Sequence, residues 1–480
     1  MRNILFGLGF LSFGALACSS NDTSSSPAGG GGEASTTTQT SSSTHNPAGT
    51  GGAQTGPGGS GTGGGGTGGV LNCGGGASAG IEHVVVVVQE NHTFDTYFGT
   101  YCTAAVGSNP TCNDGPACCE KAPAHDPSGA SPMQLTDTWN ATRDPSHLQA
   151  CEISEIDGGA MDHYVTGSTE SSCSDPGNFS IGQPADASAY QAFAAQYAIA
   201  DRYFQPIAGQ SSSNDMYLAV AQEVFIDNGF FPDIDPGRGC TFGGTAKTYT
   251  GQTTIADLLK AAGHSVKWYA EGWDAAVATA PNCPPAPPDC PAGLSIYPCV
   301  FSAGDIPFLY YDQWQSDPDF MQDYAKFSTD IQGGTLPDVT YIKAAGYHSE
   351  HPGYGDTVSA GEQFVEGVVT TVEQSCYREN TLVLVTWDEG GGYFDHVPPP
   401  PDSTVDGQPY GTRVPLIAVG KFAKQNFVSH VQMEHSSVVK FLEFLYLDGQ
   451  TGQLGARDAV VNDIGSLLDE TKTGITIPDQ

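Results

Sequence analysis

The order of apolar and polar positions in residues 73–480 predicts strands that alternate with helices. Five consecutive valines within residues 83–89 predict a strand buried on both faces, which requires a sheet covered by helices. Further elements are expected as strands at 265–270, 339–344, 381–386 and 414–419, and as helices at 185–200, 253–262, 359–376 and 436–447. This alternation predicts an α/β fold, a layered sandwich with a central, mostly parallel sheet flanked by helices.

The N-terminal part of the chain has a different composition. Residues 4–16 form a mostly apolar run behind Arg2 that is shorter than the ~20 residues of a membrane-spanning helix and typical of a secretory signal. The run ends in Ala15-Leu16-Ala17-Cys18, which resembles a bacterial lipobox, although an ordinary signal peptide with an incidental cysteine is the alternative. We expect a signal peptide at 1–18 and lipidation of Cys18.

Residues 19–72 consist mainly of Ser, Thr and Gly, so they cannot bury enough apolar surface to order themselves. They are predicted to form a disordered linker in front of a folded domain at 73–480. An exported lipoprotein anchored in the outer membrane, facing the periplasm or the cell surface, is the expected location.

Charge and cysteine content narrow the function classes. The chain has 17 Lys and Arg against 53 Asp and Glu, a net charge of −36, which argues against nucleic acid as a partner because phosphate backbones need a basic surface. Without Cys18, twelve cysteines remain, an even number that predicts up to six disulfides in an exported chain. Zinc sites at Cys112–Cys119 or Cys283–Cys299 are the alternative, which the absence of paired C-x-x-C motifs disfavours.

Acidic residues follow two of the predicted strands directly. The strand at 83–89 leads into Glu90-Asn91, and the strand at 381–386 leads into Asp388-Glu389 and three glycines. In open α/β sheets the carboxyl ends of strands face a common ligand crevice. The oxygen-only set of Glu90, Asn91, Asp388 and Glu389 is the kind that binds a hard divalent cation.

The segments around these residues resemble the motifs of a known family. Residues 81–99 (IEHVVVVVQENHTFDTYFG) and 387–399 (WDEGGGYFDHVPP) are similar to the opening and closing motifs of the bacterial phosphoesterases that include phospholipase C and acid phosphatase A. Segments 144–147 (DPSH), 349–353 (SEHPG), 411–415 (GTRVP) and 434–437 (EHSS) are similar to intermediate family segments, in the expected order.

The resemblance implies an alkaline-phosphatase-like core and hydrolysis of phosphate esters through a phosphoserine. Residues 209–217 (GQSSSNDMY) match the nucleophile segment and place Ser211 as nucleophile, although three consecutive serines leave the register open by one residue. The implied ligands of one divalent metal ion of unknown identity are Glu90, Asn91, Asp388, Glu389 and Ser211. His351 or His147 would protonate the leaving group, whereas His396 is as well explained by a structural role.

The chain departs from the family pattern at three places. Ser213 stands where the family has proline, Asp215 stands where it has arginine or histidine, and Asp305 lies near the place of a further histidine. Because of these differences, the family pattern does not predict which residues surround the metal site or which residues contact the substrate's head group.

Two subclasses and two other function classes compete. A phospholipase C would release a phosphorylated head group from a phospholipid, and an acid phosphatase would remove a terminal phosphate from small esters. An α/β-hydrolase carboxylesterase is disfavoured because 209–213 lacks the second glycine of a nucleophile elbow. A non-catalytic surface-binding lipoprotein is disfavoured because every implied ligand position carries a competent residue.

Overall fold

Strands form the framework of the computed structural model, which describes residues 80–478 except 171, 237–239, 241–243, 289 and 291–298. The predicted signal peptide and linker lie outside these residues. The strands are β1 His83–Gln89, β2 Met133–Gln134, β3 Ser180–Ile181, β4 Ala198–Ala200, β5 Tyr203–Phe204, β6 Phe231–Pro232, β7 Ala246–Lys247, β8 Val266–Ala270, β9 Met321–Asp323, β10 Val339–Lys343, β11 Thr381–Trp387, β12 Leu416–Val419, β13 Phe427–Ser429 and β14 Met433–Glu434.

Eight of these strands form one sheet in the order β13-β4-β12-β11-β1-β10-β8-β9. Strand β12 runs antiparallel to both of its neighbours, and the other pairings in this sheet are parallel. The predicted α/β class with a mostly parallel central sheet is therefore confirmed.

The α-helices of the described residues connect and cover these strands. They are α1 Phe94–Phe98, α2 Asp137–Asn140, α3 Gln149–Ile156, α4 Ser188–Gln196, α5 Ser211–Val220, α6 Ile255–Ala261, α7 Trp273–Thr279, α8 Asp312–Gln315, α9 Ala325–Gly333, α10 Val358–Glu373, α11 His435–Tyr446 and α12 Glu470–Thr473. None of the helices in the described ranges combines the length and apolar character needed to cross a bilayer.

Strand β1 lies inside the sheet, between β10 and β11. Its valines at 84–88 are completely buried, which explains why this strand is apolar on both faces. The register pairs Val88 with Thr386 of β11 and with Lys343 of β10. The three strands therefore end at the same edge of the sheet, and the residues that follow them are brought together.

One predicted element is wrong in part. The helix expected at 185–200 ends at Gln196, and Ala198–Ala200 instead form β4 between β12 and β13. Alanine favours a helix locally, but pairing with two neighbouring strands overrides this weak preference.

Disulfides join most of the cysteines, as predicted. The bonded pairs are Cys102–Cys119, Cys112–Cys118, Cys151–Cys173, Cys240–Cys283 and Cys290–Cys299. Cys376 is also disulfide-bonded. The zinc alternative for these cysteines is wrong, because sulfurs bonded to each other are not thiolate ligands.

Candidate active site

The site begins where β1 and β11 end. Glu90 follows β1 and Asp388 follows β11, and the amide of Asp388 donates to the carbonyl of Gln89 at 3.0 Å. The amide of Glu90 donates to the carbonyl of Ser349 at 2.9 Å, which ties the loop after β10 to the same place. The predicted ligands Glu90, Asn91, Asp388 and Glu389 are all at most 2% exposed.

A glycine explains how the two strand ends can approach. Gly391 has a φ of +63°, and a Cβ placed on it would lie 2.3 Å from the backbone oxygen of Asn91. A residue with a side chain would therefore push the segment after β11 away from the segment after β1.

Ser211 is the first residue of α5, and it faces these acidic residues. Its hydroxyl donates to Oε1 of Glu389 at 2.7 Å. The hydroxyl of Ser213 donates to the carbonyl of Gln210, and the side chain of Ser212 hydrogen-bonds to Tyr310. Among the three consecutive serines, Ser211 is therefore the one whose hydroxyl donates to a predicted metal ligand.

The two predicted catalytic histidines lie side by side over the carboxylates. The ring centroids of His147 and His351 are 6.0 Å apart. Nε2 of His147 lies 3.9 Å from Glu389, and Nε2 of His351 lies 3.9 Å from Glu90. In both rings Nδ1 lies 2.7 Å from the carbonyl oxygen of a nearby proline, which directs Nε2 toward the site.

Glu350, which the sequence did not single out, anchors the segment that carries His351. Its buried carboxylate accepts hydrogen bonds from the hydroxyls of Tyr97 and Tyr190 and, at 3.2 Å, from Nε1 of Trp387. Burial raises the pKa of Glu350 to about 8. The only advance signal was its position beside the motif histidine in SEHPG.

Two histidines without a predicted role hold the backbone of the strand ends. Nδ1 of His92 lies 3.1 Å from the carbonyl oxygen of Glu90, and Nε2 of His435 donates to the carbonyl of Asp388 at 2.7 Å. Burial lowers the pKa of His92 to about 3 and that of His435 to about 4. Both rings are therefore neutral near pH 7 and act as positioning residues.

A buried ion network joins the opening and closing motifs. Arg413 donates to Asp395 at 2.8 Å and to Asp95 at 3.0 Å, and Nδ1 of His396 donates to Asp95 at 2.7 Å. Burial alone would raise the pKa of Asp95, but the charges and hydrogen bonds of His396 and Arg413 hold it below its usual value. His396 thus lies in a packing network beside the site.

The polar atoms of the site fit a bound cation. Within the described residues, both side-chain polar atoms of Asn91, Oδ2 of Asp388 and Oε2 of Glu389 are buried without a hydrogen-bond partner. Burial, together with neighbouring carboxylates, raises the pKa of Asp388 and of Glu389. Buried oxygens that lack partners and repel each other are stabilised by a divalent cation.

A second set of potential ligand atoms lies next to these oxygens. Asp144, His147 and His351 each offer a ligand atom within 4.8 Å of the others. The site therefore has acidic groups and histidines placed to bind metal.

Sequence reasoning missed a lysine in this site. Lys343 is the last residue of β10, and its Nζ lies 2.6 Å from Oε1 of Glu90. The available signal was a charged residue at the end of an otherwise uncharged buried strand, the same place that Glu90 and Asp388 hold after their own strands.

The architecture and the site together define an α/β protein with a carboxylate-rich, serine-containing centre at the carboxyl edge of a mostly parallel sheet. The chain belongs to the Phosphoesterase family, whose family model matches residues 81–447. The resemblance expected from the motifs is confirmed.

Curated relatives match most of the chain. It is 25% identical to a non-hemolytic phospholipase C of Burkholderia pseudomallei, over 77% of this chain and 55% of that protein. It is 26% identical to a hemolytic phospholipase C of Pseudomonas aeruginosa, over 82% of this chain and 57% of that protein. It is 23% identical to phospholipase C B of Mycobacterium tuberculosis, over 80% of this chain and 77% of that protein. The chain thus spans little more than half the length of the first two.

Solved structures with a partial likeness include an alkaline phosphatase superfamily protein from Vibrio parahaemolyticus. It is 13% identical, with a TM-score of 0.29, over 65% of this chain and 68% of that one. A phosphonate monoester hydrolase from Silicibacter pomeroyi is 11% identical, with a TM-score of 0.29, over 72% and 77% of the two chains.

Replacing Arg413 with methionine tests the ion network. Because Arg413→Met would leave Asp395 buried without its cation and Asp95 with His396 alone, we expect it to lower the free energy of unfolding by about 3–5 kcal/mol, measured by urea denaturation. Arg378→Met is the matched control, since Arg378 and its partner Glu379 are exposed, and such pairs contribute at most about 1 kcal/mol. Equal effects of the two substitutions would contradict a stabilising role for the network.

Replacing Asn91 with leucine tests whether its partnerless amide is a metal ligand. In metal-free protein we expect Asn91→Leu to leave the melting temperature unchanged or higher, because it removes an unsatisfied buried group. In wild type, added Mn²⁺ should raise the melting temperature by binding the folded state, and Asn91→Leu should lose most of this rise.

The control for Asn91 is Asn178→Leu. The amide of Asn178 donates to Glu155 and to the carbonyl of Cys173, both at 2.8 Å, so its loss should destabilise the metal-free protein and preserve the response to Mn²⁺. A full Mn²⁺ response in Asn91→Leu would exclude Asn91 as a ligand.

Proposed function

We propose that this protein is an exported, metal-dependent phosphoesterase that hydrolyses phosphate esters through a phosphoserine at Ser211. The main support is the 2.7 Å hydrogen bond from the Ser211 hydroxyl to the buried Glu389, beside carboxylates and histidines at the edge of the sheet. Membership of the Phosphoesterase family supports this reaction class.

In this mechanism Glu389 receives the proton of the nucleophile. The Ser211 hydroxyl already donates to Oε1 of Glu389 at 2.7 Å, so this carboxylate is in place to take the proton. The Ser211 oxygen then attacks phosphorus in line with the leaving oxygen, the bond to that oxygen breaks, and water later releases phosphate or a phosphorylated head group from the serine. A bound divalent ion would lower the pKa of the hydroxyl and neutralise phosphoryl oxygens.

In this mechanism His147 or His351 is the general acid that protonates the leaving group. Nε2 of His147 and Nε2 of His351 both face the carboxylates, whereas each Nδ1 contacts a backbone carbonyl. Either Nε2 can deliver a proton to the departing alkoxide, which would otherwise leave as a strong base. The proposed ligands of one divalent ion are Glu90, Asn91, Asp388, Glu389 and Ser211.

Cleavage of phospholipids in the manner of a phospholipase C is the favoured subclass, because the relatives described above carry that name. An acid phosphatase acting on small phosphate monoesters is the second candidate. A carboxylesterase is disfavoured, because it would give no role to the partnerless oxygens of Asn91, Asp388 and Glu389.

Export and a lipid anchor at Cys18 complete the proposal. The five disulfides between described cysteines support an oxidising compartment. We expect metabolic labelling with a fatty acid to mark the wild-type chain in the membrane fraction, and Cys18→Ser to abolish the label. Labelling of Cys18→Ser, or no labelling of wild type, would contradict the anchor.

Ser211→Ala tests the reaction directly. We expect turnover of p-nitrophenylphosphorylcholine to fall on the order of 10³-fold or more, because the nucleophile is lost. Ser213→Ala is the matched control, since its hydroxyl faces a backbone carbonyl, and it should retain near-wild-type turnover. EDTA should reduce wild-type turnover, and added metal should restore it.

The choice of substrate separates the classes. Higher turnover of p-nitrophenylphosphorylcholine than of p-nitrophenyl phosphate would support phospholipase C, and the reverse would support acid phosphatase. Turnover of carboxyl esters alone, insensitive to EDTA, would refute the phosphoesterase proposal.

A further inference from the structure

A cavity of about 410 Å³ lies between helix α3 and a run of four prolines that follows the closing motif. Its volume is within the range of about 300–1,000 Å³ that is usual for small-molecule sites. Asp402 is the one charged residue among the described residues that line it. The apolar part of the lining includes Ile153, Ile156, Pro399, Pro400, Pro401 and Tyr410. Such walls offer water few partners, and they fit an apolar ligand.

The prolines give this cavity a wall without hydrogen-bond donors. Proline has no backbone N–H, so residues 398–401 place no unpaired donor against an apolar ligand. The lining also includes Gly158 and Gly159, which carry no side chain that could fill the space. A Cβ on Gly158 would meet no atom within 4 Å among the described residues. The cavity therefore has room for an apolar chain.

Both walls of the cavity are hydrogen-bonded to the segment that carries the nucleophile. The amide of Gly209, two residues before the nucleophile, donates to Oε2 of Glu152 at 3.0 Å, and Ile153 is the next residue of α3. The amide of Ala208 donates to the carbonyl of Pro409, which lines the cavity, at 2.8 Å. These contacts place the cavity beside the active site.

The helix that lines the cavity also begins at one of the two histidines proposed as general acid. His147 lies two residues before Gln149, where α3 begins, and Leu148 between them is 44% exposed. Ile153 is 46% exposed, and it follows Gln149 by about 6 Å along the helix axis. A group that leaves beside His147 therefore finds exposed apolar side chains on the helix that leads to the cavity.

We infer that this cavity binds the acyl chains of a phospholipid substrate, an inference that rests on the proposed phospholipase C activity and adds a subsite to it. In that reaction the Ser211 oxygen forms a bond to phosphorus, and its proton goes to Glu389. The bond between phosphorus and the glycerol oxygen breaks, and this oxygen takes a proton from His147 or His351. Diacylglycerol is thus the leaving group, and its chains extend along α3 into the cavity.

Calorimetric titration of the full-length protein with 1,2-dihexanoylglycerol tests the cavity without relying on turnover. We expect wild type to bind this compound. Ile153→Gln should weaken the binding at least about tenfold, because it places a polar amide against the chain. Pro400→Ser acts from the opposite wall, and it should also weaken the binding, because it restores an N–H and adds a hydroxyl.

Ile475→Gln is the matched control for the change at Ile153. Ile475 is 39% exposed, lies after α12 and does not line the cavity. We therefore expect this variant to bind 1,2-dihexanoylglycerol as wild type does.

The acyl chain length of the substrate gives a second readout. Dibutyroyl- and dihexanoyl-phosphatidylcholine are compared below their critical micelle concentrations. In wild type we expect kcat/KM to be higher for the longer chains, by up to about fourfold for each methylene that enters the cavity. Ile153→Gln should bring the ratio of the two values toward one, and Ile475→Gln should keep the wild-type ratio.

Equal binding of 1,2-dihexanoylglycerol by wild type and by both cavity variants would place the acyl chains elsewhere and overturn the inference, as would no binding by wild type. Dimers of wild type that Ile153→Gln abolishes, without binding of this compound, would assign the cavity to a second copy of the chain and also overturn it. Wild-type turnover of p-nitrophenylphosphorylcholine, which has no acyl chain, separates the two failures. Turnover without binding refutes the acyl subsite alone, whereas absence of phosphoester turnover refutes the proposed function.

Discussion

The in-register parallel pairing of β1 with β11 is the constraint on which the site depends. Gln89 pairs with Trp387, so Glu90 and Asp388 follow at the same edge of the sheet. Because side chains alternate between the two faces of a strand, a slip of one residue would turn one acidic residue away from the other. The apolar burial of both strands opposes such a slip, and it thereby holds the carboxylates together.

Holding these carboxylates together is unfavourable in itself. Asp388, Glu389 and Asp215 are buried, and burial raises their pKa values, because it disfavours the charged form of each carboxyl group. The surrounding structure resists this repulsion through satisfied groups, such as the network of Arg413 with Asp95 and Asp395. Carboxylates that repel each other, and that a well-packed structure nevertheless holds together, are typical of a site that binds a cation.

The elements that sequence analysis predicted well are those with strong local signals. The valine-rich β1 and the strands that end at Lys343 and Trp387 were expected within one residue of their observed bounds, because a buried parallel strand requires a continuous apolar run. Ser211 was indicated by its motif, and it does face Glu389. Ala198–Ala200 were assigned wrongly because their strand conformation depends on partners distant in the chain.

Residues 80–478 thus carry in their sequence the order of strands and helices, the disulfide-forming cysteines and the acidic residues at strand ends, since these follow from local composition and spacing. Tertiary structure decided which groups share the centre. Three contacts of the centre join residues far apart in the chain: Lys343 with Glu90, Trp387 with Glu350, and His435 with the carbonyl of Asp388. Such contacts depend on strand order and register, which no local pattern encodes.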